Sequence, residues 1–102
     1  MSVIKITSEN FEEIKNSGKP VLIDFYADWC GPCRMLAPMI EEIDKETDGV
    51  IIGKINVDDE PALAQEYSVM SIPTLVVLKD GKETRRSMGV RPKAQLLALL
   101  EE

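Results

Sequence analysis

Cys30 and Cys33 are the only two cysteines in the chain, and they stand three positions apart in Trp29-Cys30-Gly31-Pro32-Cys33, which also holds the only tryptophan. A disulfide between them closes a ring of four residues. Chain entropy makes such a ring worth only about 2 kcal/mol, against ~4–5 for a loop of 100 residues. A chain of 102 residues buries a reasonable core without that help. The pair is therefore better suited to cycling between dithiol and disulfide than to holding the fold. In such a cycle one thiolate attacks a disulfide and forms a mixed disulfide, and the second thiol expels the product.

That chemistry needs an activated attacking thiol. Cys30 falls where an apolar strand candidate ends and a long helix candidate begins. A helix N-terminus offers unpaired backbone N–H groups and the positive end of its dipole, which lower the pKa of a thiol there. Cys33, one turn along, points the same way but is expected to lie deeper, placed to resolve the mixed disulfide. Gly31 lets the backbone turn without a Cβ clash. Pro32 has no N–H, so it removes a donor near the sulfurs and leaves the pair relatively reducing. The plain alternative, two small buried thiols without chemistry, fits poorly with a tryptophan before the pair, Gly-Pro within it and a helix after it.

The rest of the composition excludes other chemistries. The chain has no histidine, so neither a Ser-His-Asp nor a Cys-His arrangement can be built from it. Two cysteines without imidazole fall short of the four ligands of a closed zinc site, so no metal is expected. The net charge of −6 argues against DNA or RNA as partner. There is no GxGxxG and no phosphate-cradling glycine loop, so no bound cofactor is expected. No apolar run is long enough to span a membrane. Residues 1–6 lack the charged and apolar regions of a signal peptide, which points to the cytoplasm, where a disulfide is more often catalytic than structural.

The elements that must position the pair follow from periodicity and breakers. A short strand is expected from Val3 to Ile6. Thr7 or Ser8 can cap a helix that runs through Phe11 and Ile14 to about Asn16, with Gly18 as its stop. Val21 to Ala27 is a nearly continuous apolar run, as in a central strand covered on both faces. Beyond the cysteines Met35, Leu36, Met39, Ile40 and Ile43 recur at helical spacing, with Pro38 expected to kink the axis. Val50 to Val57 reads as a second buried strand. Pro61 suits the first position of a short helix through Ala64 and Tyr67. Thr74 to Lys79 and Lys82 to Met88 flank Asp80-Gly81, a strong hairpin signal. Pro92 then opens a terminal helix with Leu96, Leu97, Leu99 and Leu100 on its apolar side. The order β-α-β-α-β-α-β-β-α predicts a single α/β domain over residues 1–102: a mixed sheet, parallel where helices cross over, with an antiparallel edge. Asp24, a carboxylate inside an apolar strand, stands out. Burial would raise its pKa and suit it to accept the proton of Cys33, unless it turns outward near the strand end.

Over essentially its whole length the sequence resembles the thioredoxin family, whose most specific signature is Trp-Cys-Gly-Pro-Cys. Thioredoxin is itself the reference case for a lowered CxxC pKa and a reducing potential. The resemblance implies the thioredoxin fold, a five-stranded mixed β-sheet flanked by four helices. It also implies reduction of protein disulfides, with Cys30 attacking and Cys33 resolving, and recharging by a thioredoxin reductase. Asp24 matches the family's buried aspartate, and Lys54 resembles the lysine that accompanies it, where the plain alternative is a solvent-facing side chain. Ile72-Pro73-Thr74 matches the cis-proline segment that presents backbone to a substrate strand. Trp29, Gly31, Pro32, Ile72, Pro73, Gly89 and Val90 would then form the apolar substrate-binding surface, although a lone tryptophan could equally sit in the core.

The sequence also departs from the family. Tyr26 replaces a common second tryptophan, Leu78 a common phenylalanine, and Met70-Ser71 precedes Ile72 where glycine is often found. The last departure bears on which partners dock. A monomer is expected. The competing readings are a disulfide oxidase or isomerase, disfavoured by Pro32 and the missing signal peptide, and a binding module that clamps partners without turnover.

Overall fold

A computed structural model describes residues 3–101. The chain forms β1 (Ile4–Lys5), α1 (Phe11–Lys15), β2 (Val21–Tyr26), α2 (Gly31–Glu46), β3 (Ile51–Asn56), α3 (Pro61–Glu66), β4 (Thr74–Lys79), β5 (Lys82–Met88) and α4 (Lys93–Leu99). The five strands make one sheet in the order β1-β3-β2-β4-β5. β1, β3 and β2 run parallel, and β4 and β5 add antiparallel pairs. β2 is thus central, paired on both edges, and its first five residues are buried on both faces. The continuous apolar run follows from that position.

Two apolar layers close the sheet. On one face Phe11 of α1 and Leu63 of α3 pack with Ile23, Phe25, Ile55 and Val76. On the other, Leu36, Ile40 and Ile43 of α2 and Leu96 of α4 pack with Leu22, Ile52, Leu75 and Val77. Neighbours in a strand point to opposite faces, so Leu22 and Ile23 serve different layers. The hairpin turns through Asp80 and Gly81, both at positive φ, as a two-residue loop of that sequence favours.

Several sequence expectations shift. The helix after β1 begins at Phe11 with Asn10 as N-cap, not at Thr7 or Ser8. Residues 7–10 instead close a turn in which the Asn10 side chain accepts the Thr7 N–H at 2.7 Å and Thr7 Oγ1 accepts the Glu9 N–H. These side-chain bonds satisfy the backbone locally and delay the helix. α2 is continuous through Pro38, which is exposed, so water can take the carbonyl that it leaves unpaired. Met35 lies off the apolar stripe of α2 and is 72 % exposed. In α4 only Leu96 is buried, while Leu97, Leu99 and Leu100 are half-covered at the rim of the core. No helix among the described residues is long and apolar enough to cross a membrane.

Candidate active site

Cys30 is the N-cap of α2, in extended conformation, directly after the turn that leaves β2. Its sulfur accepts the Cys33 N–H at 3.2 Å, so the sulfur takes up one of the free donors of the first turn. Gly31 and Pro32 occupy the first two helical positions, where a missing N–H costs nothing. Cys33 is one turn along, and the two are joined in a disulfide with Cα atoms 5.3 Å apart. The two residues are almost equally covered, 5 % and 3 % exposed, so depth alone does not separate them as the sequence suggested. Their surroundings do. Cys30 Sγ lies 3.9 Å from the carbonyl oxygen of Ile72, in the segment before β4. Cys33 lines a cavity of about 150 Å³ together with Asp24, Tyr26, Ala27, Asp28, Arg34, Ala37 and Lys54.

Asp24 and Lys54 are register partners across β2 and β3, which sets both into that cavity wall. Oδ1 of Asp24 is buried without a hydrogen-bond partner. Burial pushes the carboxyl up to about 7, with the Lys54 charge pulling the other way. Lys54 is half-buried rather than solvent-facing, with Nζ 5.8 Å from the centre of the Tyr26 ring. Burial, and then the charge of Asp28, push the Tyr26 phenol up.

The Ile72-Pro73 peptide bond is cis, with Ile72 half-buried and Pro73 buried rather than exposed. Pro73 is held from both sides: its carbonyl accepts the Gly89 N–H at 2.9 Å, and Thr74 Oγ1 donates to the Ser71 carbonyl at 2.6 Å. Gly89 has φ +80°, a conformation open to glycine at little cost, which carries the chain from β5 past Pro73. Val90 is exposed beyond it, and Trp29 is 68 % exposed rather than in the core. The structure thus gathers Cys33, Asp24 and Lys54 around one cavity and sets Cys30, Ile72, Pro73 and Gly89 in one chain of contacts.

Two residues that the sequence reading passed over support this end. Asn56 is buried, and its Oδ1 accepts the N–H groups of Asp58 (2.9 Å) and Asp59 (3.3 Å) while Nδ2 reaches Asp28 Oδ2 at 3.4 Å. It ties the loop after β2 to the loop after β3. Asp58 then accepts the Trp29 indole N–H at 2.8 Å, which orients the ring beside Cys30. The asparagine before an acidic turn at the end of an apolar strand was the available signal, since Asn side chains often bond the backbone two residues on. Among the described residues no group of three or more His, Cys, Asp or Glu is placed to hold a metal.

A family model, Thioredoxin, matches residues 2–102. The chain belongs to the thioredoxin family. It is 48 % identical over 97 residues to a thioredoxin of Chlamydia caviae, covering 95 % of this chain and 94 % of that one. Against a thioredoxin of Alicyclobacillus acidocaldarius the identity is 42 % over 102 residues, covering 99 % and 97 %. The solved structure of a mutant thioredoxin from Halobacterium salinarum superposes with a TM-score of 0.91 at 36 % identity, covering 98 % of this chain and 88 % of that one. A thioredoxin-family chain with this cysteine pair at bonding distance is a dithiol–disulfide oxidoreductase that reduces protein disulfides.

Proposed function

We propose that the two cysteines divide this reaction between them, Cys30 on the client side and Cys33 on the cavity side. The observation that carries this assignment is the division of their surroundings. Cys30 borders the Ile72 carbonyl in a partly buried contact, and Cys33 shares its cavity with Asp24. In the reduced protein the Cys30 thiolate attacks a client disulfide, breaking its S–S bond and releasing one client thiolate. Cys33, its proton passed to Asp24, attacks the Cys30 sulfur of the mixed disulfide. The second client thiolate leaves, the Cys30–Cys33 disulfide forms, and two electrons have moved to the client. An acceptor near pH 7 suits that proton transfer, and Lys54 keeps the carboxyl from rising further.

The client lies against Trp29, Gly31, Pro32, Ile72, Pro73, Gly89 and Val90, taking backbone contacts beside the cis-proline. A thioredoxin reductase recharges the disulfide. The chain works as a cytoplasmic monomer and carries its electrons on the cysteine pair without a bound cofactor. Equilibration in dithiothreitol buffers with thiol trapping tests the reading. A reversible two-electron couple well below the potential of a glutathione buffer is expected. A couple above it would mean an oxidase or isomerase, and none at all a binding module. Cys30→Ser should abolish disulfide reduction with the fold intact, whereas Cys33→Ser should accumulate clients covalently on Cys30. Full activity of the first variant, or failure of the second to trap anything, would overturn the assigned roles.

A further inference from the structure

Trp29, Met35, Met70, Met88 and Val90 are the large apolar side chains left exposed among the described residues, and all five sit in segments that border the disulfide. Grouping of exposed apolar side chains in segments next to one another marks a contact surface. Met70 is the most exposed, at 91 %. It stands two residues before Ile72, whose carbonyl is 3.9 Å from Cys30 Sγ. Two trans Cα steps place its Cα within about 7.6 Å of that of Ile72. Met88 is tied to the same segment, since it pairs with Thr74 in the β4–β5 ladder, and the next residue, Gly89, bonds the Pro73 carbonyl. The segment from Met70 to Pro73 carries no charge. The guanidinium of Arg86, two residues before Met88, is committed to Glu83 and the Tyr67 carbonyl.

We propose that Met70 and Met88 are specificity-determining residues, which select client disulfides whose cysteine is flanked by a large apolar side chain. The inference rests on the exchange reaction assigned to Cys30. A client seated on Cys30 beside Ile72 lies against the segment that Met70 and Met88 flank, and its side chains next to the attacked cysteine meet these thioethers. Methionine is unbranched and polarisable, so it adapts to aliphatic and aromatic shapes alike. The selection is for apolar character at those positions rather than for one sequence.

The test uses two disulfide-closed peptides that differ only beside the attacked cysteine, with Leu in one and the similarly sized, neutral Asn in the other. The protein should reduce the Leu peptide with a kcat/KM about tenfold higher, the scale of discrimination set by a small apolar contact. In the Met70→Gln/Met88→Gln double variant, which keeps side-chain length at exposed positions, the ratio should fall below about twofold, through slower reduction of the Leu peptide. A ratio near one in the parent protein, a ratio retained in the variant, or an equal slowing of both peptides would each overturn the proposal. The dithiothreitol equilibrium of the same variant separates the two readings. A normal couple with lost preference supports selection by the methionines, whereas a parent protein without a reversible couple would sink the exchange chemistry and this inference together.

Discussion

Asp24 carries one buried, unpartnered oxygen in the wall of the cavity beside Cys33, and burial pushes its carboxyl up to about 7 from the ordinary 3.8. Its folded pKa lies above its unfolded one, so the folded state holds the proton more tightly. Below the ordinary pKa both states are protonated and the residue costs nothing. As pH rises through that value toward 7 the unfolded chain ionises first, and stability falls. Above 7 the cost is complete, up to about 4 kcal/mol for a shift of this size. Asp24→Asn should therefore leave stability nearly unchanged at pH 4 and raise it by about 2–4 kcal/mol at pH 8.5, read from urea midpoints. An equal effect at both pH values would show that the carboxyl is not held protonated by burial. The same variant removes the acceptor proposed for Cys33, and on that proposal resolution of mixed disulfides should slow while the first attack by Cys30 persists.

Among the elements, the edge strand β1 is the most exposed to a single change. It has two residues, paired only with β3, and Gly53 of β3 lies opposite Ile4. A Cβ at Gly53 would overlap Ile6 Cδ1 and stand 2.9 Å from Ile6 Cγ1 and 3.3 Å from the Ile4 carbonyl oxygen. Ile6 belongs to the core, so the clash cannot be relieved by turning that side chain into water. Gly53→Ala should cost about 1–3 kcal/mol, the range for overpacking a filled interior. Denaturant unfolding measures it. No loss would mean that β1 moves aside without weakening the sheet. α2 runs through Pro38, which is exposed, and its buried apolar residues Cys33, Leu36, Ile40 and Ile43 form one stripe.

For the whole molecule, the disulfide adds little to stability, because both layers of the core lie outside the four-residue ring that it closes. Reduction should leave far-UV circular dichroism unchanged and lower unfolding stability by no more than about 2 kcal/mol. Unfolding on reduction would mean that the bond holds the fold, which a redox carrier that works in both states cannot permit. The charge of −6 is compatible with free diffusion between partners, and sedimentation checks the proposed monomer.

Local rules were enough for much of this. Spacing and neighbours identified Cys30 and Cys33, and an acidic residue inside an apolar run singled out Asp24. Asp80-Gly81 marked the hairpin, because positive φ at two successive positions is a backbone preference that those residues carry with them. The strand order, the joining of Asp24 to Lys54 and the meeting of Ile72 with Cys30 were decided by tertiary structure. Each depends on pairing between segments 30 or more residues apart, which no local periodicity encodes. For the same reason Asn56 and Asp58 escaped notice, since their role lies in bonds to Asp28 and Trp29, 28 and 29 residues away. Met35 escaped for another reason: helical spacing says which residues share a face, while the width of the stripe that a helix buries depends on what packs against it.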